Sequence, residues 1–182
     1  GVAVLDHDGV VGRLRRKRIR RLRRADLPDH IPTLAEFYAQ VGADLPLSLD
    51  VKDPEALDAV LDAARAAGAE GQLWLCHPDH RVVARWRERT DVANLVDSTR
   101  IDKVTEGPER RAMQLRDAGI GTINMHRSDW SAGMVTMFHR FGIECFAWDL
   151  QQPRELRALL GMGVDGVYSD HVDRMVDALD HR

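Results

Sequence analysis

The chain has 182 residues, 26 basic and 29 acidic side chains, with 44% hydrophobic and 30% charged residues. That composition describes a soluble globular protein with enough chain for a core without disulfide staples, and no stretch approaches the roughly 20 apolar residues of a membrane span. The two cysteines, Cys76 and Cys145, lie in apolar runs and read as buried thiols of a reducing, cytoplasmic setting, not as a disulfide framework.

The chain opens on a strand-like run, Val2-Ala3-Val4-Leu5, that ends in His7-Asp8. It starts at Gly1, already inside that run, so its front end is expected to be missing. Residues 13–24 then read RLRRKRIRRLRR, nine basic residues in twelve with no acid. The other seventeen basic residues face all 29 acidic ones. A basic tract on an acidic body suits nucleic acid, anionic lipid or an acidic partner, or else it is a solvated connector. The connector is the preferred reading, because no aromatic residue interleaves for base stacking.

Thr33-Leu34-Ala35-Glu36 is a capping box that opens a helix running to about Gly42. Leu45 to Val51 reads as a strand. Asp53-Pro54 starts the next helix, with Leu57, Val60, Leu61 and Ala64 on one face and Gly68 at its end. Further strands are expected at 73–76, 92–96, 122–125, 143–148 and 166–168. Helices are expected near 79–89, 107–118, 129–141, 153–160 and 171–180, with Gly119, Gly142 and Gly161 as exits. Met113, Met125, Met134 and Met137 fit core positions, and Trp74, Trp86 and Trp130 fit packing roles.

Six strand-then-helix units, plus the N-terminal strand, predict an α/β fold with a parallel sheet of the (β/α) barrel type. The whole chain, 1–182, is expected to be one partial domain with its connector at 13–24. In such barrels chemistry gathers at the carboxyl ends of strands. The polar residues expected there are His7, Asp8, Asp50, Lys52, His77, Asp97, His126, Asp149, Ser169 and Asp170, with Trp148 beside them. Asp50 and Lys52 alternate with Leu49 and Val51 and so share one face. Carboxylates that hold a cation, a histidine that moves protons and a lysine that offsets negative charge suit phosphoryl chemistry. His77 and His126 are placed as site-lining groups without an assigned step.

Several stretches in order resemble the glycerophosphodiester phosphodiesterases. Residues 1–8 resemble that family's apolar run ending in His-Asp, and Arg13 follows His7 at the family's spacing. Ile31-Pro32-Thr33-Leu34-Ala35-Glu36 matches its Ile-Pro-Thr-Leu-x-Glu, and Ser48-Leu49-Asp50-Val51-Lys52 resembles its Asn-Ile-Glu-Ile-Lys. Gly142 to Trp148 resembles its strand ending in Trp, and Gly163 to Asp170 resembles its last strand.

The resemblance implies a TIM-type barrel that hydrolyses glycerophosphodiesters to an alcohol and glycerol 3-phosphate. It implies a bound divalent metal ion, Mg or Ca. His7 would be a catalytic general acid, Asp50 a metal ligand, Lys52 a phosphate-side cation and Trp148 a substrate wall for the glycerol moiety. Asp50 departs from the family's Glu by one methylene. The family's first two strands, which carry His-Arg and Glu-x-Asp, have no counterpart here, so the chain by itself is expected to be inactive. His126-Arg127 lies in the wrong strand to replace that His-Arg.

The implied partner is a small phosphodiester. No stable nucleic-acid partner and no membrane span are expected. The alternatives are a phospholipase D-like lysolipid hydrolase on the same barrel, or a non-catalytic anion-binding barrel using the basic tract.

Overall fold

The computed structural model describes residues 1–12 and 16–180. Arg13, the family-spaced arginine, therefore lies outside the described residues. The chain divides into two compact units. The first takes residues 1–75 and 89–93, the second residues 76–88 and 94–182.

In the first unit, β1 (Val10–Val11) and β2 (Lys17–Arg18) form a short antiparallel arm, with Val10 opposite Arg18. Part of the basic tract is thus folded. A 3-10 turn, Ile19–Arg21, follows β2. The Ile19 N–H donates to the Gly9 carbonyl at 3.0 Å. Ile19 and Leu22 are half-buried while Arg18, Arg20 and Arg21 are exposed, which is how a charged segment anchors on its few apolar side chains.

α1 (Leu34–Val41) begins as the sequence predicts. The Thr33 hydroxyl accepts from the Glu36 N–H at 3.0 Å, and the Glu36 carboxylate accepts from the Thr33 N–H at 2.7 Å. Such a box is worth about 1 kcal/mol. Just upstream, the expected strand at Val2–Leu5 is reduced to one antiparallel bridge, Val4 to Thr33. Its backbone is taken by the approach to α1: Leu5 N–H donates to Pro32, and Leu34 N–H donates to Ala3.

β3 (Leu47–Asp50) is followed by a 3-10 turn capped by Asp53 and then by α2 (Leu57–Ala67), which ends at Gly68 with φ 73°. Leu34 and Tyr38 of α1 and Leu57, Val60, Leu61 and Ala64 of α2 form this unit's helical core. β4 (Leu73–His77) starts in the first unit and ends in the second.

The second unit continues with α3 (His80–Trp86), β5 (Asn94–Thr99), α4 (Pro108–Asp117) and β6 (Thr122–His126). It closes with α5 (Ala132–Arg140), β7 (Glu144–Trp148), α6 (Pro153–Met162), β8 (Gly166–Val167) and α7 (Val172–Asp180). β5 to β8 neighbour one another in chain order and run parallel. That makes six strand-then-helix units among the described residues, the number read from the sequence.

The register sets two faces. Asp97, Ile123 and Cys145 form one row, and Thr99, Met125 and Ala147 the next; all are buried. The Cys145 thiol reaches the Val135 carbonyl of α5, so this face lies under the helices. Ser98, Asn124 and Phe146 alternate with them and face the other way.

Four expectations shift. β5 starts at Asn94 instead of Val92, because the Thr90 hydroxyl accepts from the Val92 and Ala93 N–H groups and bends the chain there. α6 runs through Gly161 and ends at Gly163, which takes the left-handed φ of 93°. α5 starts late, where the Ser131 hydroxyl caps Met134. Met113, expected in the core, is on the exposed side of α4. No helix is long and apolar enough to cross a membrane, among the described residues. Both cysteines are free and buried.

Candidate active site

His7 stands at the crown of a turn built by Asp6. The Asp6 carboxylate accepts the Asp8 N–H at 2.9 Å and the Gly9 N–H at 2.6 Å. Gly9 has φ 66°, a conformation costly for a side chain with a Cβ. This turn leaves the His7 side chain 97% exposed, with Nδ1 2.8 Å from Asp8 Oδ1. That hydrogen bond holds the Asp8 carboxyl below its ordinary range, and the Arg16 and Lys52 charges act in the same direction.

Lys52 lies close by. A methyl group at the Gly9 Cα would touch Lys52 Cδ at 3.9 Å. Lys52 Nζ is also 3.9 Å from Asp50 Oδ2. The first unit therefore gathers an exposed imidazole, its carboxylate partner and a cation beside a second carboxylate. Asp50 and Lys52 are a loose exposed pair, with side-chain exposures of 64% and 46%. A proton donor beside a positive charge can protonate a leaving alkoxide and offset phosphoryl charge.

A hard divalent cation takes six or more oxygen ligands. Asp50 offers one carboxylate, already facing Lys52, and no three-donor group forms around it among the described residues. The group of three that does form is His139, Cys145 and Asp165. It lies at the amino ends of β7 and β8, away from the strand ends where chemistry was expected. There Asp165 Oδ2 accepts from the Cys145 N–H at 2.7 Å and meets His139 Nε2 at 2.8 Å. Burial, with Asp165 and Glu144 adding to it, pushes the Cys145 thiol up to about 12. A thiol and an imidazole do not suit a hard divalent cation, which takes oxygen ligands, and Asp165 here braces β7 against α5 through its two bonds. The residues present do not by themselves fit a metal site.

Trp148 lies in the second unit, at the carboxyl end of β7. His126 is opposite it in the register, with ring centroids 4.6 Å apart, edge to face. His126 Nδ1 accepts from the Ser128 N–H at 3.2 Å, and Nε2 is 3.0 Å from Asp149 Oδ2. Both ring nitrogens are thereby engaged. Asp149, a non-glycine residue, has a positive φ of 66°. Its carboxyl is held below the ordinary range, chiefly by the His126 hydrogen bond. Gln151 links Asp149 at 3.4 Å to Asp170 at 3.0 Å. The Ser169 hydroxyl accepts the His171 N–H ahead of α7, as its expected loop-capping role requires.

Two expected site residues leave the site. The His77 ring accepts the Asp79 N–H at 3.0 Å and packs its edge on Trp86, 5.7 Å away; it shapes a turn. Asp97 sits within β5 on the helix-covered face, where Arg111 Nη1 donates to it at 2.6 Å and Arg111 Nε donates to Glu106 at 2.6 Å. Burial pushes the Asp97 carboxyl up to about 6, against the pull of Arg111. The sequence reading missed Arg100, one residue past β5; only its strand-end position signals it.

The family model for glycerophosphoryl diester phosphodiesterases matches residues 2–174. The chain belongs to that family. This glycerophosphoryl diester phosphodiesterase family member is thus placed among phosphoric diester hydrolases. Its fold is similar to that of a Silicibacter pomeroyi protein assigned as a glycerophosphoryl diester phosphodiesterase. That match has TM-score 0.84 at 16% identity and covers 100% of this chain and 80% of that one. An Agrobacterium tumefaciens protein of the same assignment gives 0.87 at 15% identity, covering 100% and 82%. An Oleispira antarctica phosphodiesterase in complex with the product sn-glycerol-3-phosphate gives 0.79 at 16% identity, covering 98% and 80%. No curated protein matches the chain in sequence. The fold is the α/β barrel type of this phosphodiesterase family, with six of its strand-then-helix units described here.

Proposed function

We propose that the protein hydrolyses glycerophosphodiesters to an alcohol and glycerol 3-phosphate. The observation that carries this is the family match along residues 2–174. The product complex of the Oleispira antarctica phosphodiesterase supports the same substrate class.

In this reading His7 donates a proton to the leaving alkoxide, an otherwise poor leaving group at neutral pH. Asp8, bonded to Nδ1, orients the ring. Lys52 offsets the negative charge that builds on the phosphoryl oxygens. Trp148 serves as an apolar wall for substrate carbon. A divalent cation, Mg or Ca, belongs to the reading on the family's account, with Asp50 as its candidate ligand; the proton transfer and charge compensation above use only the chain's own groups.

The test is the release of glycerol 3-phosphate by the complete protein. His7→Ala is expected to lower kcat by roughly 10²–10⁴ while leaving the thermal midpoint unchanged. Wild-type turnover in that variant removes His7 from the chemistry. Chelation is expected to lower activity, with Asp50→Asn requiring more added cation for half-maximal rate. Full activity in excess chelator refutes the cation.

A further inference from the structure

Arg100 is held along one edge of its guanidinium at the carboxyl end of the sheet. Thr99 is opposite Met125, and His126 is opposite Trp148. Arg100, the residue after Thr99, therefore lies level with His126 and Trp148 at the carboxyl end of the sheet, on the face away from the helices. Its guanidinium sits 5.8 Å over the Trp148 ring. Asp129 grips one edge of it: Nε donates at 2.6 Å and Nη2 at 3.1 Å. The Asp129 carboxylate also accepts the Ile101 N–H at 3.1 Å and is only 5% exposed, so the grip is rigid.

The rest of the guanidinium is open. Nη1 has no partner among the described residues, and the side chain is 44% exposed. Arg111 shows the contrast. It spends Nε on Glu106 and Nη1 on Asp97 and is 6% exposed, a saturated structural bridge. Asp149, the residue after Trp148, is already engaged by His126 and by Arg127, whose Nε lies 3.4 Å away.

We infer that Arg100, fixed by Asp129 above the Trp148 ring, is a binding site for the oxyanion of a phosphate ester. A planar guanidinium with a free pair of donors matches a phosphate oxygen pair, and one that is already oriented loses little entropy on binding. The aromatic face beneath it suits carbon attached to that phosphate. The site favours an organic phosphate over inorganic phosphate for this reason. Asp129 and His126 are positioning residues: the first aims the guanidinium, and the second seats the Trp148 ring.

Calorimetric titration of the complete protein tests this, with inorganic phosphate and glycerol 3-phosphate as probes and glycerol as the uncharged control. The choice of glycerol 3-phosphate rests on the proposed function; inorganic phosphate does not. Arg100→Gln is expected to weaken both phosphates by roughly 10- to 100-fold and to leave glycerol unaffected. Arg100→Lys, which keeps the charge and loses the fork, is expected to recover only part of that loss. Trp148→Ala is expected to erase the advantage of glycerol 3-phosphate over inorganic phosphate. Phosphate binding equal to wild type in Arg100→Gln, with only the thermal midpoint lowered, makes Arg100 a brace for Asp129 and overturns the site. Absence of phosphate binding by the wild-type protein at millimolar concentration overturns it too. Binding of inorganic phosphate is read without turnover, so a failure of the hydrolytic reading and a failure of this site are told apart.

Discussion

Gly9 and Asp8 decide what His7 can do. The Asp6 carboxylate ties the Asp8 and Gly9 N–H groups, and only a residue tolerant of φ 66° completes that turn. Gly9→Ala is expected to cost about 1–2 kcal/mol of stability, read as a lower denaturation midpoint, and to lower kcat by disturbing the His7 crown. Asp8→Asn keeps the shape of the side chain and removes its charge. It is expected to lower kcat less than His7→Ala does, with KM little changed; a larger loss than in His7→Ala would make Asp8 the acting group.

Asp97 belongs to stability at this same scale. Its folded-state carboxyl is raised from 3.8 to about 6 by burial. A carboxyl that holds its proton more tightly when folded stabilises the fold fully below its unfolded value and loses that contribution as pH rises through its folded value. Stability from this group therefore falls by about 3 kcal/mol between roughly pH 4 and pH 6. Asp97→Asn is expected to flatten that slope in thermal melts recorded across the window, whereas an unchanged slope assigns the pH dependence to other groups.

At the scale of elements, two packing contacts carry the second unit. Arg111 on α4 bridges Asp97 on β5 and Glu106 ahead of the helix. Arg111→Met leaves a buried carboxylate without its cation and is expected to destabilise by about 3–5 kcal/mol at neutral pH. Gly166 on β8 lies under the Phe146 ring of β7, and a methyl group there would meet ring carbons at 2.9 Å. Gly166→Ala is expected to cost about 1–3 kcal/mol by forcing the ring aside, measured by chemical denaturation.

Local signals were legible where they were short-range. The Thr33 capping box, Gly68 as an exit and the succession of six strand-then-helix units all follow from neighbours in sequence. What escaped depends on partners far along the chain. Nothing near Arg100 announces Asp129, 29 residues on. Nothing near Asp97 announces Arg111, so a buried ion pair read as a strand-end site residue. The Val2–Leu5 run has strand composition, but its bonds go to residues 32–34.

At the scale of the molecule, charge and chemistry are separable. Arg18, Arg20 and Arg21 project from a folded arm anchored by Ile19, and hydrolysis as proposed does not use them. Replacing all three by Gln is expected to leave kcat/KM on a small glycerophosphodiester within about twofold, since exposed charges act mainly through screened, long-range fields. A steep loss at low salt that disappears at high salt would instead assign the arm to substrate attraction.

The central claim is that the exposed imidazole beside Lys52 does the work of a phosphodiesterase. The direct measurement is the rate of glycerol 3-phosphate release from glycerophosphodiesters by the complete protein, wild type against His7→Ala, with matching thermal midpoints confirmed. Turnover in the wild type and a loss of at least about a hundredfold in the variant is the predicted result. Equal rates in both proteins contradict it.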